Sequence, residues 1–302
     1  MAWRHNPSQY KSSQVVLAAI LAVFLAIALI STLLVRSHLQ KSQDNKDTIT
    51  DQQIAQPETA VIPEPLVQIA DPAAPVFDMK ALQAALDAWV ASQSGVASVV
   101  VSDPVSGDML AVHNADQAYF TASIYKLYVA YEGYRAVDAG DLDPAQDYIN
   151  GNTLAECLDI MIRESDSPCA EKLWAGLGKP ELNTILESYG LTDTDMVGLR
   201  TTAADTAIVL QRVATGEGLS DASQQAMLDS MQNQVFRDAL NKGFSSDVTV
   251  YNKIGFNELI EYHDTAIIEL ENGDRLVVSV LTERIGTTQI AALGATIEAA
   301  LQ

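Results

Sequence analysis

The chain has 302 residues, 48% of them hydrophobic, with 18 Lys+Arg against 39 Asp+Glu. That apolar share excludes a mostly disordered chain. The formal net charge of −21 argues against nucleic acid as a partner, because phosphate binding needs a basic face that releases counterions. Two cysteines are too few for a disulfide framework or a Cys-rich zinc site. The histidines, His5, His38, His113 and His263, are scattered without ligand spacing, so neither a metal nor another cofactor is expected.

An uncharged apolar run opens at Val15 and closes at Val35. At ~1.5 Å per residue, a helix of that length covers roughly 30 Å, the core of a bilayer. A cleaved signal peptide has a shorter apolar region and a small-residue cleavage site, whereas this run ends Leu33-Leu34-Val35-Arg36. The expectation is one transmembrane helix over 15–35 behind a cytoplasmic tail, 1–14. Arg4 and Lys11 precede the run while Arg36, Lys41 and Lys46 follow it, so charge asymmetry leaves the orientation undecided. Residues 36–75 turn to Gln, Asp, Asn, Ser and Thr and then to Pro. They read as an extended Pro-rich linker or as a tail with no spacing role.

Residues 76–302 form the remaining domain. Met79, Leu82, Leu86, Trp89 and Val90 sit at helical spacing, with Gly95 as the stop. Strands over 96–101 and 109–113 flank Asp103-Pro104-Val105-Ser106-Gly107, a hairpin signature. Helical periodicity then fills 123–139, 153–163, 168–177, 180–189, 202–215 and 220–231. The end returns to strands at 248–253, 262–270 and 275–282, with a closing helix over 287–301. A sheet completed by both chain ends, with the helical middle packed on it as an insert, predicts an α/β (α+β) fold.

Three short elements carry chemistry. In Ser123-Ile124-Tyr125-Lys126, the serine opens a helix, where free N–H groups and the dipole favour an oxyanion. Lys126 lies one turn on, upon the same face; if desolvated there, it becomes a neutral amine able to take the serine proton. Ser165-Asp166-Ser167 precedes Pro168, which reads as a helix N-cap or as a serine hydroxyl relaying a proton. Lys253-Ile254-Gly255 ends an apolar strand. It reads as a site for an anion whose backbone Gly255 lets approach, or as a strand end with its charge in solvent.

Together, in this order, the three elements resemble the S-x-x-K, S-D-N and K-T-G set of the class A β-lactamase and penicillin-binding superfamily. Flanking stretches at 156–170 and 200–219 are similar as well. The resemblance implies an antiparallel sheet flanked by helices with a helical subdomain, and an extracytoplasmic location for the domain. It implies that Ser123 is acylated by a β-lactam or a cell-wall peptide, with Lys126 as base and Ser165 protonating the leaving nitrogen. Lys253, Ser167 and Gly255 would bind substrate, and the backbone N–H groups of Ser123 and Phe256 would form the oxyanion hole.

The chain departs from that pattern in three places. Family members of class A carry an Ω-loop glutamate that activates water, but between Tyr189 and Thr201 the only carboxylates are Asp193 and Asp195, which read as turn formers. Ile254 stands where the family has threonine, a loss of ~1.5–3 kcal/mol if that hydroxyl bonds a charged group. Ser167 stands where it has asparagine. Slow deacylation follows; a D,D-peptidase-like penicillin-binding protein and a non-catalytic cell-wall peptide-binding module remain as alternatives. Cys157 and Cys169 bracket Ser165, either as a disulfide across the turn or as two buried thiols. His263-Asp264 reads as structural, and Arg275 and Arg284 as surface ion-pairing residues.

Overall fold

A computed structural model describes residues 77–257 and 260–301. The expected anchor (15–35) and linker (36–75) lie outside the described residues. Among the described residues, no helix is long and apolar enough to cross a membrane.

The chain enters through helix α1 (Met79–Ala91) and the hairpin of β1 (Val96–Ser102) and β2 (Met109–His113). After β3 (Tyr119–Phe120) and a 3-10 turn, Ala122–Ile124, it forms α2 (Tyr125–Asp138). A short pair, β4 (Asp147–Ile149) and β5 (Asn152–Thr153), leads to α3 (Leu154–Arg163), α4 (Ser167–Leu177) and α5 (Lys179–Ser188). Then come β6 (Arg200–Thr201), α6 (Ala203–Thr215), α7 (Asp221–Gln232) and the single turn α8 (Leu240–Gly243). Strands β7 (Thr249–Phe256), β8 (Tyr262–Glu269) and β9 (Arg275–Glu283) and helix α9 (Thr287–Leu301) complete the domain. The main sheet has the order β2-β1-β9-β8-β7, and each neighbouring pair is antiparallel. Both chain ends therefore supply the one sheet, as the order of elements predicts.

Strand alternation divides the core in two. Val100, Ile267, Val277 and Leu281 face the helical middle. Val99, Ala266, Ile268, Val278 and Val280 face α1, α8 and α9. Both faces are covered, so the three central strands read in sequence as nearly continuous apolar runs. Helix α2 is buried from Tyr125 through Tyr134 and forms the axis of the helical subdomain. Its Tyr128 hydroxyl lies 2.7 Å from Thr201 Oγ1 and 2.8 Å from Thr206 Oγ1.

Several local features differ from the sequence reading. Gly95 does not end the first helix, which stops at Ala91. A Cβ there would lie 2.3 Å from the Glu283 carbonyl oxygen, so β9 needs a residue without a side chain at that point. The two-stranded pairs β3–β6 and β4–β5 have no sequence signal, because strands of two or three residues are too short for a period. Ser123 lies within the 3-10 turn, and the α-helix opens two residues later.

Helices α3 and α4 meet at the Ser165-Asp166-Ser167 turn. Thr153 and Glu156 make a reciprocal capping box at the start of α3, and Asp166 accepts from the Cys169 N–H at 2.8 Å to cap α4. Such caps stabilise a helix by about 1 kcal/mol each. Cys157 and Cys169 are joined as a disulfide with a Cα–Cα separation of 5.1 Å. Of the two readings open in the sequence, the bond is the one realised.

Candidate active site

The fold brings the three elements to one place, where the edge strand β7 meets the helical subdomain. The turn bearing Ser123 is held from three sides. Thr121 N–H donates to the Leu199 carbonyl at 2.8 Å, and Ile124 N–H to the Thr121 carbonyl at 2.9 Å. Gly255 supplies the third side: a Cβ on it would sit 2.9 Å from Thr121 O and 3.0 Å from Ile124 N. The close approach at Gly255 is therefore made by the protein's own backbone, where the sequence reading had a ligand. Ala122, Ser165 and Leu199 all have positive φ (43°, 60° and 52°), a conformation that costs a non-glycine residue energy and gathers at functional sites.

Lys126 follows Ser123 by one turn and is almost wholly buried. Its Nζ donates to the Ser165 carbonyl, to Ser165 Oγ at 3.3 Å and to Ser167 Oγ at 3.1 Å. Lys253 reaches the same hydroxyl from β7, its Nζ donating to Ser165 Oγ at 3.0 Å and to the Ile254 carbonyl at 2.8 Å. Lys253 is fully buried, which removes the reading of a strand end with its charge in solvent. Ser165 Oγ thus accepts from both lysines, and its own O–H stays available to donate outward.

Burial penalises both ammonium groups. Desolvation pushes Lys126 down to about 8, against a smaller opposing pull from Asp166 and Glu171. Lys253 is pushed well below the ordinary lysine value, first by desolvation and then by the charge of Lys126, with Asp264 opposing. Register places Asp264 opposite Ile254, hence on the sheet face away from Lys253. There it accepts from Leu240 N–H at 2.8 Å and from the Asn252 amide at 3.0 Å, and burial raises it to about 7.

The remaining candidates fall into place around this cluster. Ser167, itself exposed, takes a hydrogen bond from Lys126. Ile254 is buried on the Asp264 face, so its side chain points away from the two lysines. Phe256 is exposed and stacks on Tyr262 at 5.7 Å and 16°. Asp195 accepts from the Asn183 amide at 2.9 Å and from Val197 N–H at 2.9 Å; these bonds lower its pKa and make it a turn former. Asp193 gives its N–H to Asp205 at 2.9 Å.

His263 is buried, with Nε2 2.8 Å from the Phe120 carbonyl and Nδ1 accepting from Thr282 N–H at 3.1 Å. Burial lowers it to about 4, so it is a neutral structural imidazole. Arg275 pairs with Glu269 at 2.6 Å. Among the described residues, no group of His, Cys, Asp and Glu could hold a metal ion. Phe236 and Tyr262 meet Phe256 ring to ring, a proximity that arises only through folding.

An antiparallel sheet carrying a helical insert, with serine and lysine side chains gathered at the seam, defines a class A β-lactamase-like fold. The chain belongs to the β-lactamase enzyme family, whose model matches residues 81–301. It is 29% identical over 175 residues to β-lactamases of Mycobacterium tuberculosis (strain ATCC 25177 / H37Ra) and Mycobacterium bovis (strain ATCC BAA-935 / AF2122/97). That match covers 51% of this chain and 57% of theirs, so it spans little more than half the length of these relatives. Among solved structures it is similar to PBP-A (TM-score 0.64, 24% identity, 72% of this chain and 95% of that one). An ancestral class A β-lactamase is comparable (TM-score 0.66, 23% identity, 72% and 99%). At such identities the likeness to solved structures is one of fold.

Proposed function

We propose that the domain is a serine acyl-transfer enzyme that forms an acyl-enzyme at Ser123 with β-lactams or D-Ala-D-Ala-like peptides and releases it slowly. The reading rests chiefly on one observation, Ser165 Oγ held at once by Lys126 and Lys253. Ser123 Oγ attacks the carbonyl carbon, and its proton passes to neutral Lys126. The carbonyl oxygen carries the developing charge, stabilised by the backbone N–H groups of Ser123 and Phe256. The C–N bond then breaks, and the leaving nitrogen takes a proton through Ser165 Oγ, resupplied from the lysines behind it. Lys253 attracts an anionic group on the same fragment.

Slow release is supported by the stretch from Gly190 to Arg200, where no glutamate is present and Asp195 is engaged in its turn. The same feature favours a penicillin-binding, D,D-peptidase-like protein as second reading. A structure of a PBP-A variant is an acyl-enzyme complex with penicillin G, which makes penicillin the reagent of choice. We also propose that residues 15–35 anchor the chain in a membrane with the domain outside the cytoplasm. The Cys157–Cys169 bond fits an oxidising compartment.

Incubation with a fluorescent penicillin and peptide mapping tests the chemistry. The expected result is label on Ser123 that outlasts desalting and is absent from Ser123→Ala. Failure of the wild type to label at millimolar reagent would leave a binding module instead.

A further inference from the structure

Ser165, whose hydroxyl the two lysines share, stands on a strained piece of backbone. It follows α3 in the left-handed region, at φ 60°, which a non-glycine residue keeps only where its surroundings over-determine it. Towards α3, the Ile160 carbonyl accepts from Glu164 N–H at 2.9 Å and from Asp166 N–H at 3.1 Å. Towards α4, Asp166 accepts from Cys169 N–H at 2.8 Å. Cys169 is in turn bonded to Cys157 within α3, with 5.1 Å between the Cα atoms. Both cysteines are buried, and Ser165 lies inside the loop that they close.

The side chain of Ser165 is held differently, by hydrogen bonds that the chemistry itself disturbs. Its Oγ accepts from Lys126 Nζ at 3.3 Å and from Lys253 Nζ at 3.0 Å. In the proposed acylation, Lys126 gains the Ser123 proton, while Ser165 gives its own proton to the leaving nitrogen and takes another from behind. Each of these steps changes the charge or the donor on which the two bonds depend. The covalent tie between α3 and α4 is indifferent to protonation.

We propose that Cys157 and Cys169 are a positioning pair for proton delivery: their bond fixes α3 against α4 and so keeps Ser165 Oγ aimed at the leaving nitrogen. This assignment rests on the acylation of Ser123 proposed above. It makes acylation depend on the bond in proportion to how much the leaving group needs a proton. With a β-lactam, the Ser123 Oγ–C bond forms, the C–N bond breaks and the nitrogen takes a proton through Ser165. With a thioester, the same O–C bond forms, the C–S bond breaks and the thiolate leaves with the electron pair, unprotonated. Lys126 takes the Ser123 proton in both.

The test uses the full-length chain, benzylpenicillin and an acyclic phenylacetylglycyl thioglycolate. The two reagents share an acyl side chain, and both leaving fragments carry a carboxylate. Second-order rate constants for acylation of Ser123 are measured for wild type and Cys157→Ala/Cys169→Ala, and the penicillin-to-thioester ratio is compared. Loss of the bond is expected to lower the ratio about tenfold, part of the ~100- to 10,000-fold that a positioned acid contributes. Leu82→Ala, a truncation in the core on the other face of the sheet, loses stability without touching the turn, and its ratio should stay within about twofold of wild type. If the alanine pair does not fold, Cys157→Val/Cys169→Ala, which refills the space, is read in its place. Label on Ser123 with an unchanged ratio in the cysteine variant, an equal loss on both reagents, or the same fall in Leu82→Ala overturns the positioning role alone and leaves the bond a staple of the fold. No label on wild-type Ser123 from either reagent overturns the acylation reading, and the positioning role with it.

Discussion

Replacing Gly255 by alanine tests how the nucleophile's turn is held. The added Cβ would lie 2.9 Å from Thr121 O, 2.9 Å from Ile124 Cγ1 and 3.0 Å from Ile124 N. Two of those atoms are backbone, so no rotamer change relieves the contact. Ordinary van der Waals spacing begins near 3.4 Å, and the turn carrying Ser123 must therefore retreat by about half an ångström or β7 must bend. Overpacking of this kind costs ~1–3 kcal/mol, which for a domain of this size lowers the melting temperature by roughly 3–10 °C. A displacement of 1 Å at a reacting centre costs on the order of 100-fold in rate; half of that predicts about a tenfold fall in penicillin labelling. The control is Gly176→Ala within α4, where the nearest atom is the Tyr148 hydroxyl at 3.8 Å and better helix propensity should raise stability by ~0.5–1 kcal/mol. Thermal unfolding and labelling rates are read for both. A Gly255→Ala protein with the wild-type melting temperature and labelling rate would refute the close-packing argument.

Labelling of Ser123 should rise with pH through about 8, the value to which burial lowers Lys126, since the neutral amine is the proposed base. At pH 7 a group of pKa about 8 is roughly one-tenth neutral, against fewer than about one in a thousand for an ordinary lysine; a rate that is flat or falls between pH 6 and 8 excludes Lys126 from this role. Removing the disulfide as Cys157→Ala/Cys169→Ala should cost about 3 kcal/mol for a loop of this length, on the order of 6–12 °C in melting temperature, and an unchanged transition by calorimetry would count against it. Protease added to intact cells should release the domain if residues 15–35 anchor it facing outward, and full protection would defeat that orientation.

The electrostatics of the site have a simple logic. Two buried lysines repel each other, and each loses hydration, so at least one is driven towards its neutral form near physiological pH. In the proposed acylation, the shared Ser165 hydroxyl is the group through which a proton taken at one lysine is returned near the other. Asp264, behind the sheet, offsets part of the penalty on Lys253 without entering the cluster.

Much of the fold was legible because long periodic segments carry their own signal. The helices at 153–163 and 202–215 and the last three strands stand within a few residues of where spacing put them, since an amphipathic face or a doubly buried strand needs apolar residues at fixed intervals. Ser123, Lys126, Ser165 and Lys253 were legible as a set because the order of the three short elements that hold them resembles a known pattern, and the fold brings Lys126, Ser165 and Lys253 into contact. What the chain alone left open depended on distances between segments. Whether Cys157 and Cys169 bond depends on the angle at which α3 meets α4. Whether Lys253 lies in solvent or against Ser165 depends on β7 being the edge strand beneath the helical subdomain. The role of Gly255 emerged only when the Thr121–Ile124 turn was seen against it. Periodicity reports which face of an element is covered; it carries no information on which distant residue covers it.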